Sequence, residues 1–325
     1  MTSPPDNRAG LAILSILIAV LAISLNDMLI KQLSGGYALH QIVFARSAIG
    51  ILLSLVLVWF EGGFHLLKTR HPGLHVLRGV MIAVSNMTFF LALAAIPLAE
   101  ATALFFVAPL FITLLSIPML GEKVGPLRLG AVAVGFVGVV IMQRPWVGAE
   151  TLAVSRVILL LPVVAAVTYA INQIMTRRLG VTAKASVLSV YIQLMFIVVS
   201  LAFYAVAGDG RFVGEDTNVS VVFLLRAWEW PAPGDGWVFI LLGVNSAVIG
   251  YCLSQAYRLG DAATVAPFEY MMLPLAVFWG VVIFGEVPTW EVWTGIALIL
   301  AAGLFVFLRE RQKARRITRG HGLRR

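Results

Sequence analysis

Residues 98–144, LAEATALFFVAPLFITLLSIPMLGEKVGPLRLGAVAVGFVGVVIMQR, have a counterpart later in the chain. Residues 260–309, GDAATVAPFEYMMLPLAVFWGVVIFGEVPTWEVWTGIALILAAGLFVFLR, carry the same landmarks in the same order. Ala101-Thr102 is answered by Ala263-Thr264, Pro109 by Pro274, and Gly121-Glu122 by Gly285-Glu286. Gly130, Gly138 and Arg144 then align with Gly295, Gly303 and Arg309 without a gap. Each copy reads as two apolar helices joined by a short loop, and a chain that repeats such a unit has two structural halves.

The repeat extends outward from this pair. Ser24-Leu-Asn-Asp-Met-Leu-Ile-Lys-Gln-Leu33 resembles Ala170-Ile-Asn-Gln-Ile-Met-Thr-Arg-Arg-Leu179, so that Asn26 matches Asn172 and Lys31 matches Arg177. Phe89, Leu91 and Ala94 match Tyr251, Leu253 and Ala256, while the second and seventh segments match weakly. Five segments per half is an odd number, so the second half enters a membrane upside down relative to the first. The expectation is an all-α membrane protein of ten transmembrane helices in two five-helix inverted-topology repeats. The helices fall near 10–32, 39–60, 74–96, 98–119, 126–143, 155–177, 185–207, 236–258, 262–284 and 289–309. The first repeat covers 10–144 and the second 145–309, with a loop at 208–235. A short N-terminus (1–9) and a basic tail (310–325) flank them. Because the first segment has a partner in the second half, it is expected to be retained rather than cleaved as a leader.

Composition agrees with a membrane setting. The 325 residues are 60% hydrophobic and only 12% charged, with mean hydropathy +0.94; soluble domains carry about 25% charged residues. Apolar runs of about 20 residues match a bilayer core crossed by a helix. The net charge of +8 does not point to nucleic acid, because the basic residues sit at helix ends. With the N-terminus inside, inner segments hold eighteen of the 24 Lys and Arg and outer segments five, with Arg46 inside a helix. That bias puts both termini in the cytoplasm and 208–235 outside. The tail is read as a solvated, lipid-facing basic end. Trp228, Trp230 and Trp237 read either as headgroup-level anchors of a flat interfacial segment or as part of a lid.

Several chemistries lack their motifs. There is no GxxxxGK[ST], HExxH or GxSxG, and hence no sequence signal for an ATPase, a zinc protease or a serine hydrolase. His71 and His75 lie four apart without a carboxylate, so no metal site is expected. The single cysteine, Cys252, excludes an intrachain disulfide. No cofactor motif is present, and the chain reads as a non-enzyme.

Polar groups inside apolar helices carry the functional signal, because a charge in hydrocarbon is costly and normally faces the bundle interior with a partner. Arg46 lies ~10 Å into the second segment at 1.5 Å per residue, and Asp27 lies at a similar depth in the first. The two are expected to pair, either structurally or with Arg46 also holding a substrate carbonyl or anion. Lys31 competes for Asp27 at i+4. Glu269, between Pro267 and Pro274, is a candidate substrate contact or proton carrier; the plainer alternative is a carboxyl satisfied by neighbours. Asn86, Asn245 and Gln193 supply amides near the midplane, each alternatively a helix–helix tie. Phe106, Tyr251 and Tyr270 are the aromatic candidates, with Phe89, Phe105, Tyr169 and Phe268 at the same level. Ala131, Gly135, Ala297 and Ala301 mark close helix contacts or a homodimer face. Glu122 and Glu286, at the membrane edge, are expected to bond loop amides of the next helix.

These residues resemble a known family. The ten segments, the duplicated Pro…Gly-Glu…Gly pattern and the Arg of the second segment resemble the EamA-type transporters of the drug/metabolite transporter superfamily, over about residues 10–309. Within it, SLNDMLIK, VFAR and HVLRG are similar to the branch of bacterial riboflavin and S-adenosylmethionine uptake carriers. The resemblance implies a secondary carrier of the bacterial inner membrane with a central cavity, alternating access and a small-molecule substrate. Riboflavin or a related heteroaromatic is the first substrate expectation. Export of amino acids or other metabolites is the alternative, and a non-transporting receptor or scaffold is the reading from another class.

Overall fold

The computed structural model describes residues 5–69, 72–121, 124–148, 154–179, 185–215, 217–259, 265 and 268–322. Among them it is all-helical, with nine helices long and apolar enough to cross a membrane. In chain order these are α1 (Pro5–Leu33), α2 (Leu39–Glu61), α3 (Pro72–Leu93), α4 (Leu98–Phe105), α5 (Ala108–Leu120) and α6 (Pro126–Gln143). Then follow α7 (Arg156–Leu179), α8 (Ala185–Ala207), α9 (Val219–Leu225), α10 (Gly236–Leu259), α11 (Met272–Phe284) and α12 (Trp290–Gly322). The span Leu98–Leu120 comprises α4 and α5, and α11 is a shorter apolar helix.

The repeated prolines and glycines have structural reasons. Proline removes one helical hydrogen bond and crowds the carbonyl four residues back. Pro109 therefore acts on Phe105, where α4 ends, and Pro274 acts on Tyr270, in the turn before α11. The two helices are broken at the same place in the repeat. Gly121 and Gly285 close α5 and α11 in the left-handed region, at φ 68° and 66°. Glycine adopts that conformation without the Cβ penalty, which explains its place before Glu in both copies.

Packing pairs elements across the chain. Helix α1 lies on α10 and α3 on α7; α2 lies on α8 and α6 on α12. At the α6–α12 crossing, a Cβ on Gly138 would meet the Gly295 carbonyl at 3.1 Å, and one on Gly295 would meet that of Gly138 at 3.1 Å. Backbone contact this close needs small residues. Of the expected small-residue set, Gly135 packs on Leu110 and Ala302, whereas Ala297 and Ala301 lie exposed on the outer surface. Large apolar side chains such as Leu52, Phe60, Val137 and Val282 also face outward, as expected of a surface solvated by lipid.

The 208–235 segment is packed onto the bundle rather than lying apart from it. Phe223 is fully buried, and Ser220 Oγ donates to the Leu91 carbonyl at 2.8 Å. His40 contacts the Leu224 carbonyl at 2.8 Å, and Arg226 donates to that of Gly35 at 2.6 Å. Gln41 and Glu229 bond in both directions. Trp228 sits among His40, Phe44 and Tyr204, which corrects its reading as a headgroup anchor. Trp230, 96% exposed, remains free for that role.

Candidate functional site

Helices α1, α2, α3 and α8 enclose Arg46, which is 5% exposed. Its Nη1 donates to Asn26 Oδ1 at 3.1 Å, and Asn26 Nδ2 donates to Asp27 Oδ1 at 3.1 Å. The expected direct Asp27–Arg46 pair is therefore replaced by a chain of two hydrogen bonds through a neutral amide. Among the described residues no ion pair within 4.0 Å joins the two charges. The guanidinium carbon lies 5.2 Å from the Phe90 ring centre and 5.0 Å from that of Phe196. Stacking against rings suits a planar, weakly hydrated cation. The buried Nε has no hydrogen-bond partner. A buried donor left unmade is costly, and a ligand acceptor would relieve it.

A series of rings leads away from Arg46. Phe90 contacts Phe89 at 5.9 Å between centroids, Phe89 contacts Phe105 at 5.3 Å, and Phe105 contacts Tyr169 at 5.4 Å. Tyr169 accepts a hydrogen bond from Gln173 at 2.7 Å. At this far end lies Glu269, near enough for its charge to act on both Tyr169 and Tyr270. Tyr270 packs on Phe106 in a tilted contact at 5.5 Å between centroids, so the two proline-broken helices meet through the residues at their breaks. Arg46 and Glu269 thus stand at opposite ends of one aromatic wall.

Four other candidates have hydrogen-bond partners outside this series. Asn86 bonds the Ile82 carbonyl of its own helix at 3.0 Å, and Tyr251 accepts from Gln255 at 2.8 Å, also within one helix. Asn245 donates to the Ala22 carbonyl at 2.6 Å, tying α10 to α1. Gln193 donates to Ser246 Oγ, and its amide fills the space a side chain on Gly50 would need. The last two are ties among α1, α2, α8 and α10. Phe90, Phe196 and Gln173 were not singled out from the sequence. Nothing in an all-apolar stretch distinguishes Phe90 from Phe89, and only the helix phase shows which ring covers Arg46.

A second polar cluster sits at the end of the bundle that carries 208–235. Lys31 Nζ pairs with Glu286 Oε1 at 2.9 Å and donates to the Leu93 and Ile96 carbonyls at 3.0 and 2.6 Å. Glu286 Oε2 accepts from the Leu98 backbone N–H at 3.0 Å. This corrects two expectations. Lys31 turns away from Asp27 to a carboxylate of the other half, and Glu286 caps α4 of the first half rather than its own next helix. Glu122 and His71 lie outside the described residues, and His75 stacks on Tyr191. Beside the cluster, Arg144 donates to Thr289 Oγ1 at 2.9 Å and reaches Glu100 and Glu291 only at 3.8 Å, over a cleft of about 180 Å³.

The fold and these intramembrane charges define a multi-pass helical membrane protein. Residues 10–144 and, separately, 156–308 match the EamA-like transporter family, and the chain belongs to that family, in the drug/metabolite transporter superfamily. It is 29% identical over 311 residues to a riboflavin transporter of Rhizobium johnstonii, covering 95% of each chain. It is 27% identical over 296 residues to an S-adenosylmethionine uptake transporter of Rickettsia prowazekii, covering 91% of this chain and 92% of the other. It is 29% identical over 297 residues to the pseudopaline exporter CntI of Pseudomonas aeruginosa, covering 90% and 92%. A crystal structure 19% identical in sequence has the same fold, with a TM-score of 0.62 over 93% of this chain and 98% of its own.

Proposed function

We propose that this chain is a secondary carrier that imports a flat heteroaromatic metabolite, riboflavin first, across the bacterial inner membrane. The observation that carries the reading is the aromatic wall with a cation at one end and a carboxylate at the other. Rings stack on a planar ligand. The unmade Arg46 Nε donor suits a ring carbonyl, and Glu269 can accept from a ring N–H or hydroxyl. A phosphate ester suits the site less, because Arg46 is one cation among apolar walls. The relatives named for riboflavin support the same substrate, and those named for S-adenosylmethionine support a related one that would lean harder on Glu269. The exporter relative favours the second reading, efflux of a small metabolite through the same site.

The architecture we infer is two five-helix repeats of opposite topology, ten helices in all, working by alternating access. It is supported by the paired packing of α1 on α10 and α3 on α7, and by the matching breaks at Pro109 and Pro274. We place both termini in the cytoplasm and the 208–235 face outside, on the basic-residue bias. In that frame a cysteine at Thr217 reacts with an impermeant thiol reagent in intact cells or spheroplasts, and one at Gln312 does not; the opposite pattern reverses the orientation.

The functional test is growth. Expression in a riboflavin auxotroph lacking its own carrier should restore growth on low riboflavin. Failure by protein shown to be in the membrane, together with no saturable flavin binding, would sink the riboflavin reading. Counterflow in liposomes separates carrier from receptor, since only a carrier exchanges labelled for unlabelled substrate.

A further inference from the structure

We infer that Lys31 and Glu286 are positioning residues of the transport cycle, forming the ion pair that holds the outer face closed; this rests on the carrier reading above. The geometry is specific to closure. Lys31 closes the end of α1, the Leu93 and Ile96 carbonyls belong to the α3–α4 connection, and Glu286 follows α11. One ammonium and one carboxylate therefore join three elements from both halves of the chain. Three acceptors surround Lys31 Nζ, which uses its whole donor capacity. The Lys31 side chain is 9% exposed and that of Glu286 24%, so the ammonium end of the pair is the shielded one.

The duplicated sequence supplies a reason for reversibility. Lys31 is matched by Arg177 and Glu286 by Glu122. An inverted repeat carries those two positions to the opposite face. Glu122 and the Arg177 side chain lie outside the described residues, and their part in the cycle is read from the repeat alone. Arg144, with 3.8 Å approaches to Glu100 and Glu291, makes no comparable contact.

The test reads the gate without any substrate, so failure of the riboflavin assignment leaves it intact. In a Cys252→Ser background, Ser24→Cys places a thiol on α1 about 10 Å below Lys31, at 1.5 Å per residue. Ser24 is buried and bonded to Trp279 of α11. Glu286→Gln keeps an acceptor for the Leu98 N–H but loses the charge. It should raise the rate at which an impermeant thiol reagent labels the introduced thiol from outside about tenfold. Lys31→Gln, which leaves the Leu98 cap untouched, should do the same. Equal labelling in parent, Glu286→Gln and Lys31→Gln proteins, all present in the membrane, overturns the inference. So does faster labelling of both variants that comes with loss of monodisperse protein on gel filtration, because the pair then only braces the fold.

Discussion

Two cations in the first half of the chain, buried Arg46 and part-buried Lys31, are treated in opposite ways. Lys31 has a carboxylate at 2.9 Å and two carbonyls, one for each remaining proton. Arg46 has one amide at 3.1 Å, two phenyl rings and a buried Nε that bonds nothing. A fully paired cation stabilises one arrangement of helices, and removing a partner strands a charge. A cation held by ring faces is fixed in orientation while its edge stays available. On the proposed reading, the contrast suits Lys31 to closure and Arg46 to recognition.

The largest expected effect is at Arg46. Arg46→Gln retains a donor for Asn26 but removes the guanidinium, and uptake should fall by two orders of magnitude or more with gel-filtration behaviour unchanged. Arg46→Lys should rescue little, because an ammonium lacks the planar fork that stacks between two rings. Normal uptake by well-folded Arg46→Gln protein would remove Arg46 from the site. Asp27→Asn should be milder, since it weakens only the bond that orients the Asn26 amide. If Arg46 and Asp27 were merely structural, both variants would instead lose folded protein.

Next come the rings. Replacing Phe90 or Phe196 by Leu keeps an apolar side chain but removes a cation–π contact of about 0.5–2 kcal/mol. The expected result is a several-fold rise in KM with Vmax little changed. A change in Vmax alone would place the rings outside substrate binding. Glu269→Gln should lower uptake or flatten its dependence on pH if the carboxyl titrates in the cycle. An unaltered pH profile with normal uptake would return Glu269 to a structural role.

The smallest effects belong to the helix ties. Asn245→Ala and Gln193→Leu remove hydrogen bonds between helices, each worth about 0.6 kcal/mol on average in a membrane protein. They should lower the thermal midpoint by a few degrees and leave KM unchanged. A rise in KM would move either residue back into the site.

How much of this was visible beforehand follows from the solvent. Lipid-spanning helices announce themselves by length and hydropathy, and the Pro109/Pro274 and Gly121/Gly285 landmarks repeat because broken helices and left-handed caps tolerate few other residues. Charges in apolar runs were equally visible, so Arg46, Asp27 and Glu269 stood out. The facing of each helix was not visible. In a soluble protein a polar face marks the outside, but here both faces are apolar and Phe89 cannot be told from Phe90. The partners of Asn86 and Tyr251 were not legible for a related reason: an amide or phenol inside a helix can be satisfied by its own helix. Lys31 had a plausible partner four residues away, and the carboxylate that won came from the other half of the chain, which no local spacing reveals.

The central claim is that the wall between Arg46 and Glu269 binds a flat metabolite, and direct binding tests it most plainly. Purified protein in detergent should quench riboflavin fluorescence saturably. Arg46→Gln, eluting as the parent does, should abolish that quench, while Asn245→Ala should preserve it. Saturable quenching of equal affinity in the parent and Arg46→Gln proteins would contradict the account.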